Sequence, residues 1–238
     1  MNVSLVKKLL GLSFSAKIKC LSYSISYAII DCNLERIFKN VKQMTSRQTI
    51  LKLFYPVLMT LRNLLQGKKI LQNEKYIEPL ESFYDLSIEL IDGKVFPLKH
   101  YKGKKILLVN TASDCAYTAQ YEELQKLSVH FKEKLLVIGF PANDFKEEEK
   151  GNDQQIAAFC RDNFGVSFPL AKKSKVVKSI EQNEVFHWLT HKKRNGWNDK
   201  MPSWNFSKYL VNEQGILTHY FDASVSPIGH VVIKAINQ

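Results

Sequence analysis

The segment KKILLVNTASDCAYTAQYEELQKL, residues 104–127, decides the fold because it joins a buried strand to a helix through a short turn. KKILLVN contains a continuous apolar run, which is typical of a strand covered on both faces. After the turn, Tyr121, Leu124, Leu127 and Phe131 recur at helical spacing, so one stripe of a helix can pack on the sheet. Cys115 lies in the turn between the two elements.

The position of Cys115 is compatible with chemistry or with packing. Unpaired N–H groups at the start of a helix carry partial positive charge, which stabilises a thiolate. Free cysteine is also among the most buried residue types, so a small side chain that fills a gap is the alternative. The position of this residue does not decide between them.

The elements around this segment predict an α/β fold. A second apolar run, LLVIGF at 135–140, completes a strand–helix–strand unit with parallel strands and a right-handed crossover. Helices are predicted at 153–163, capped by Asn152 or Asp153, and at 185–193. Hairpins are predicted in SIELIDGKVFPL (87–98) and in WNFSKYLVNEQGILTHYF (204–221), and Ser226-Pro227 predicts the start of a final helix. Together they predict a thioredoxin-like sandwich, with a central mixed β-sheet flanked by helices.

Residues 1–80 read as a basic, partly apolar N-terminal extension of a domain at 81–238. The net charge is +11, and residues 1–70 hold 12 Lys and Arg residues against only Asp31 and Glu35. No nucleic-acid-binding motif accompanies this charge, so a nucleic-acid partner is not expected. The longest uncharged run there, residues 20–30, is eleven residues long. That is short of the roughly 20 residues a membrane-spanning helix needs.

The segment 47–69 predicts an amphipathic helix on an anionic membrane surface, with packing on the domain or disorder as the alternatives. Met44 offers a second start, so residues 1–43 are interpreted as a potential over-long start. The expected location is the cytoplasm or the inner membrane surface.

Composition argues against a metal site. The four cysteines, at positions 20, 32, 115 and 160, form no C-x-x-C pair, and so few of them fit a reducing compartment. His187 and His191 have a metal-ligand spacing, but Trp188 stands where H-E-x-x-H has its glutamate. No metal is therefore expected.

Three blocks of the sequence resemble the glutathione peroxidase family. They are NTASDCAYTAQYEELQKL (110–127), VIGFPANDF (137–145) and MPSWNFSKYLV (201–211), and the resemblance extends over roughly 83–238. It implies an antioxidant peroxidase in which the Cys115 thiolate attacks a hydroperoxide and becomes a sulfenic acid. It also implies no bound cofactor, since a thiol reductant, thioredoxin or glutathione, acts as co-substrate.

In that family a glutamine, a tryptophan and an asparagine surround the cysteine. The last two carry over to Trp204 and Asn205, which are neutral N–H donors, although a core aromatic is the alternative for Trp204. The glutamine aligns with Asp144, an acid that has no N–H to donate when ionised and whose charge would raise the pKa of Cys115. The alternatives for Asp144 are that it is protonated, points away or bridges through water, with Asn143 supplying an amide instead. FKEEEKGN, at 145–152, is interpreted as a solvated charged loop.

Cys160 lies in IAAFCRDNFGVSFPL (156–170), which resembles a segment of the two-cysteine, thioredoxin-dependent bacterial members of the family. The resemblance implies that it resolves the sulfenic acid as a disulfide; a helix cysteine packed on the core is the alternative. A disulfide limits the Cα separation to about 7 Å, so the helix would have to unwind locally. The flanking residues Gly151 and Gly165 favour such unwinding.

Fourteen residues separate Leu189 from Trp204, so the insertion of the tetrameric family members looks absent and a monomer is expected. The rival function is a redox-sensing relay in which the same two thiols pass a disulfide to a client protein. A degenerate family member that acts as a membrane-associated scaffold is a third reading.

Overall fold

The computed structural model of the chain describes residues 44–65 and 70–238. The strands within these residues are β1 (Ile70–Gln72), β2 (Ser87–Glu89), β3 (Val95–Pro97), β4 (Lys105–Thr111), β5 (Leu135–Pro141), β6 (Lys208–Val211) and β7 (Leu217–Phe221). Five of them form a mixed sheet in the order β1-β7-β6-β4-β5, and β2 and β3 form a separate hairpin. Only β4 and β5 run parallel within the larger sheet. The predicted thioredoxin-like α/β architecture and both hairpins are confirmed.

The helices are α1 (Ser46–Leu65), α2 (Gln120–His130), α3 (Asp153–Phe164), α4 (Glu184–Leu189), α5 (Lys192–Asn195) and α6 (His230–Asn237). Asn152 caps α3 as predicted, and it forms a reciprocal capping box with Gln155. The helix predicted at 185–193 is broken at Thr190, which ends α4. The final helix begins later than Ser226-Pro227 predicts, because the N–H of Gly229 first closes a turn on the Ser226 carbonyl (2.9 Å).

Alternate side chains of β4 face opposite sides of the sheet. Ile106 and Leu108 pack in a cluster with α4, whereas Leu107 and Val109 pack in a cluster with α2, α3 and α6. We call the second cluster the thiol-side core, because it also contains Cys115 and Cys160.

The thiol-side core extends to segments that precede residue 81. Tyr55 and Met59 of α1 are buried in it, and β1 pairs with β7, with Ile70 opposite Phe221. Residues 44–238 accordingly form one compact unit. The boundary expected at residue 81 falls inside this unit, because the sheet and the core both continue across it.

The predictions made for residues 1–43, including the alternative start at Met44 that would remove them, concern a segment outside the described residues. In the described parts of the chain, none of the helices combines the length and the apolar character needed to cross a membrane.

Candidate active site

The turn that carries Cys115 follows directly on β4 and is closed by its own hydrogen bonds. The N–H of Cys115 donates to Oγ1 of Thr118 (2.9 Å), and this hydroxyl donates in turn to the carbonyl of Ala112 (3.0 Å). The N–H of Tyr117 donates to the sulfur of Cys115 (3.4 Å). The turn therefore directs a backbone donor at the thiol, just before the first residue of α2.

A second loop, which follows β5, meets this turn. Because β4 and β5 are parallel neighbours, their carboxyl ends lie at the same edge of the sheet. The N–H of Asp114 donates to the Glu148 carbonyl (3.0 Å), which joins the two loops. Lys146 and Glu147 adopt positive φ angles of 49° and 53°, a conformation that costs roughly 1–3 kcal/mol for each non-glycine residue. These two residues turn the chain so that Glu148 points inward.

Glu148 is buried beside the thiol. Its carboxylate accepts a bond from Nδ2 of Asn205 (2.9 Å), and its charge is among the causes that raise the pKa of Cys115. Glu148 is therefore the buried acidic side chain that joins the loop after β5 to Asn205.

The Trp204-Asn205-Phe206 segment reaches the site through another strained residue. Phe206 has a φ of 67°, and its N–H donates to the carbonyl of Asn110 (2.6 Å), while Nδ2 of Asn110 donates to the carbonyl of Trp204 (3.1 Å). These bonds fix the backbone around Trp204, whose indole N–H lowers the pKa of Cys115. Asn205 is fully buried, and its Oδ1 has no hydrogen-bond partner among the described residues.

The electrostatic environment of Cys115 favours the protonated thiol. Burial raises its pKa to about 12, and the Glu148 carboxylate acts in the same direction. The N–H groups of Tyr117 and Trp204 lower the pKa but do not compensate for burial.

Cys160 lies in the last turn of α3 and is fully buried and unpaired. Burial raises the pKa of its thiol to about 12, the charge of Glu149 raises it further, and the Tyr121 hydroxyl lowers it. Glu149 lies between the two thiol regions, because its carboxylate accepts a bond from the Ser113 hydroxyl (2.8 Å). Burial raises the pKa of Glu149 to about 7.

Helix α1 is fixed to the turn that carries Cys115. A guanidinium nitrogen of Arg47 donates to the carbonyl of Asp114 (3.2 Å) and pairs with the Asp114 carboxylate. Nε2 of Gln48 donates to the carbonyl of Ser113 (3.0 Å). Farther along the helix, Lys52 lies over the ring of Phe164 (4.6 Å), at the end of α3.

Of the five residues singled out in the sequence, Trp204 and Asn205 adjoin the segments around Cys115: Asn110 of β4 bonds the Trp204 carbonyl, and Asn205 bonds Glu148. Cys160 belongs to the same core on a neighbouring helix. Asp144 does not take the expected place at the thiol, because its carboxylate accepts a bond from the N–H of Val176 (2.6 Å).

The interpretation of FKEEEKGN as a solvated loop is wrong for its last two glutamates, since Glu148 and Glu149 are buried. Sequence reasoning therefore missed Glu148. The order of the elements was the signal that could have found it. The loop with Glu148 follows β5, just as the turn with Cys115 follows β4. Loops that follow neighbouring parallel strands meet at the same edge of the sheet.

The fold and this site define a class, a thioredoxin-fold thiol oxidoreductase whose cysteine lies at the end of a central strand. The family model described as "Glutathione peroxidase" matches residues 83–190. The chain is 38% identical over 149 residues to "Glutathione peroxidase homolog BsaA" of Staphylococcus epidermidis, with 62% of this chain and 93% of that protein covered. The chain belongs to the glutathione peroxidase family.

Two further comparisons agree with this assignment. "Glutathione peroxidase-like peroxiredoxin 2" of Saccharomyces cerevisiae is 39% identical over 147 residues, which cover 61% of this chain and 90% of that one. The crystal structure of "Trgpx in apo form" superposes with a TM-score of 0.51 at 28% identity and covers 67% of this chain and 97% of that one. In residues 44–65 and 70–238, no cluster of three or more histidine, cysteine or acidic side chains is arranged to hold a metal ion.

Proposed function

We propose that this protein reduces hydrogen peroxide and organic or lipid hydroperoxides to water and alcohols, with Cys115 as the reacting thiol. The observation that carries the proposal is the turn after β4, which buries Cys115 and directs the N–H of Tyr117 at its sulfur (3.4 Å). Preorganised donors of this kind stabilise negative charge on the sulfur and on the departing oxygen. Membership of the glutathione peroxidase family supports the same chemistry.

The first half-reaction oxidises Cys115. Its sulfur, as the thiolate, attacks the outer oxygen of the hydroperoxide, the S–O bond forms and the O–O bond breaks. The sulfur becomes a sulfenic acid, and the departing alkoxide takes up a proton and leaves as an alcohol, or as water when the substrate is hydrogen peroxide.

The second half-reaction assigns the resolving role to Cys160. Its sulfur attacks the sulfenic sulfur of Cys115, a disulfide forms, and the hydroxyl group leaves as water with the thiol proton. Burial of both thiols in one core supports this pairing. A thiol co-substrate, thioredoxin or glutathione, then reduces the disulfide, so no bound cofactor is required.

The test follows NADPH consumption by the full chain with an organic hydroperoxide, using a thioredoxin system in one arm and glutathione with its reductase in the other. We expect turnover with thioredoxin in the wild type and none in Cys160→Ser. Turnover with glutathione alone, unaffected by Cys160→Ser, would make Cys160 a packing residue. Disulfide transfer to a protein thiol without turnover would favour the redox relay.

The outward face of α1 supports a second element of the proposal, peripheral contact with an anionic membrane surface. Five apolar side chains at helical spacing are exposed there, and we call them the outer face of α1: Ile50, Leu53, Phe54, Val57 and Leu61. The helix contains no acidic residue, and because Arg47 is paired with Asp114, its positive charge on this part of the helix comes from Lys52. An apolar face beside a cation and without acidic residues matches the surface of an anionic bilayer.

Flotation of the full chain with vesicles of phosphatidylglycerol and phosphatidylcholine tests this contact. Leu53→Glu with Phe54→Glu should abolish flotation, whereas Val129→Glu with Ile180→Glu, at exposed apolar positions elsewhere, should not. Equal flotation of both double variants would exclude the outer face of α1 as the contact. We propose that the protein acts as a monomer in the cytoplasm or at the inner membrane surface, and light scattering of the purified chain tests the monomer.

A further inference from the structure

The turn at 115–118 has the bonding pattern of a capping box. In that motif the side chain of the first residue accepts an N–H from further along the chain, and the side chain three residues later accepts the N–H of the first residue. Here the sulfur of Cys115 accepts the N–H of Tyr117 (3.4 Å), and Oγ1 of Thr118 accepts the N–H of Cys115 (2.9 Å). The thiol therefore takes the place that a hydroxyl or carboxylate oxygen has in an ordinary cap.

Thr118 holds Cys115 by both of its backbone groups. The hydroxyl of Thr118 accepts the N–H of Cys115, and the N–H of Thr118 donates to the Cys115 carbonyl (3.1 Å). The same hydroxyl donates to the carbonyl of Ala112 (3.0 Å), the residue that directly follows β4. One side chain therefore ties the cysteine to the end of the central strand.

The surroundings of the turn offer no ready substitute for this hydroxyl. Cys115 and Thr118 are both buried, with exposed fractions of 1% and 6%, so solvent does not take over their hydrogen bonds. Ala119, the residue directly before α2, makes no side-chain cap bond. The side-chain bonds at this end of the helix therefore come from the turn itself.

We infer that Thr118 is a positioning residue of the proposed peroxidase, whose hydroxyl fixes the backbone of Cys115 so that the N–H of Tyr117 points at the reacting sulfur. The inference rests on the proposed function and adds a residue to it. A threonine has one O–H to donate, and Thr118 gives it to Ala112, so it acts on the sulfur through the turn. A donor that is fixed before the reaction stabilises the negative charge of the thiolate without reorganising.

Thr118→Val keeps the shape of the side chain and removes both hydroxyl bonds. The buried N–H of Cys115 and carbonyl of Ala112 then lose their partners, and the turn moves to satisfy them. The N–H of Tyr117 lowers the pKa of Cys115, so the loss of its aim should shift the pH profile of thiol alkylation to higher pH. Below the pKa, the rate at a given pH should fall by about 10-fold, as expected for one hydrogen bond to a charged group.

The direction of this change separates positioning from a merely structural role. A turn that only loosens exposes the thiol, which lowers the pKa of a buried cysteine and speeds its alkylation. Loss of positioning slows it. The charged groups near the turn are the same in every variant: Asp114 paired with Arg47, and Lys146, Glu148 and Glu149 on the loop after β5.

The experiment uses the full chain with Cys160→Ser. The rate of iodoacetamide alkylation at Cys115 is measured from pH 6 to 10 by mass spectrometry of the peptide that contains it. Oxidation by an organic hydroperoxide is followed in parallel, with dimedone to trap the sulfenic acid. Thr118→Val should slow both reactions, and Thr118→Ser, which keeps the hydroxyl, should restore both.

Thr190→Val is the matched control. Oγ1 of Thr190 accepts a bond from Nε2 of Gln182 (3.1 Å) and donates to the carbonyl of Phe186 (2.7 Å), so the same substitution removes the same pair of bonds. Thr190 lies at the end of α4, which packs on the opposite face of the sheet. Its substitution should lower stability and leave the alkylation profile of Cys115 in place.

Unchanged or faster alkylation in Thr118→Val overturns the inference, and so does a folded Thr118→Ser that fails to restore the rates. If Thr118→Val does not fold, amide hydrogen exchange of the wild type decides by NMR. Slow exchange of the Cys115 amide, kept in Thr118→Ser, supports the bond to the hydroxyl, and fast exchange in the wild type overturns it. Failure of the proposed function has a different signature, because hydroperoxide would then not oxidise Cys115 although Thr118→Val still shifts its alkylation profile.

Discussion

The turn that carries Cys115 and the helix that carries Cys160 bury their thiols equally but support them differently. The pKa of the Cys115 thiol is shifted by polar groups from three separate segments: Tyr117, Glu148 and Trp204. Around Cys160, the Tyr121 hydroxyl lowers the pKa of the thiol without a hydrogen bond to it, and the backbone is a helix with a capping box at its start and Gly165 in the left-handed region (φ 63°) at its end.

This difference separates two ways of controlling a buried thiol. The first thiol is controlled by its side-chain environment, so single substitutions around it should change its reactivity. The second is controlled by the backbone that carries it, so its reactivity should follow the stability of α3. The predictions below use this contrast, from the largest expected effect to the smallest.

The largest effect should come from exchanging the two thiols for hydroxyls one at a time. Cys115→Ser should consume hydroperoxide no faster than buffer, because the attacking sulfur is gone. Cys160→Ser should still consume about one equivalent per chain in the absence of reductant. A colorimetric assay of residual peroxide measures both, and consumption by Cys115→Ser but not by Cys160→Ser would reverse the roles.

Glu149, which lies between the two thiol regions, should make stability depend on pH. Its pKa is about 7 in the folded protein against an ordinary 4.5, so the folded state holds the proton more tightly. The corresponding stabilisation is complete below pH 4.5 and is lost as pH rises through 7, a change of about 3 kcal/mol. Glu149→Gln cannot ionise, so it should gain about that much relative to wild type over this range.

Urea unfolding between pH 4.5 and 8 measures this difference. Glu147→Gln changes an exposed carboxylate on the same loop and should track the wild type at every pH. A difference between Glu149→Gln and wild type that is constant with pH would mean that Glu149 does not change its protonation in this range.

A smaller effect should follow from weakening α3. The Asn152 side chain accepts the N–H of Gln155 (2.9 Å), and Asn152→Ala should cost about 1 kcal/mol of helix stability. If Cys160 reacts only after local opening, disulfide formation after a single peroxide pulse should accelerate by up to about 5-fold.

Asn183→Ala supplies the control, because Asn183 caps α4 through the N–H of Val185 (3.0 Å) at a similar cost. It should lower global stability without changing the rate of disulfide formation. Acceleration by both variants, or by neither, would break the link between the reactivity of Cys160 and the opening of α3.

The smallest effect concerns Asp144. Because its carboxylate is engaged by the N–H of Val176, Asp144→Asn should leave the alkylation rate of Cys115 unchanged at every pH. The same change of charge at Glu148 should raise that rate near neutral pH. If Asp144→Asn shifts the pH profile of alkylation, the Asp144 carboxylate does act on the Cys115 thiol.

Elements whose signals are local were predictable from the sequence. The apolar run of β4, the stripe of α2 and the Asn152 cap of α3 each depend on neighbouring residues, and the structure has all of them where they were expected. Cys115 at the end of β4 follows from the same local pattern.

Features that depend on backbone strain or on distant contacts were not predictable. Nothing in the sequence indicates that Lys146 and Glu147 adopt positive φ angles, and this is what turns Glu148 inward. The hydrogen bond from the Val176 N–H to the Asp144 carboxylate joins residues that are 32 positions apart in the chain. The run of acidic residues at 145–152 therefore predicted a solvent-exposed loop, whereas two of its glutamates, Glu148 and Glu149, are buried at the candidate site.

Helix α1 has a consequence for how the activity of this protein is measured. The stretch matched by the family begins at residue 83, yet the helix bonded to the turn of Cys115 begins at Ser46. A chain trimmed to begin at residue 83 would keep all three blocks that resemble the family and lose the bonds from Arg47 and Gln48. Rate constants from such a fragment would describe a less shielded sulfur, so they are not transferable to the intact protein.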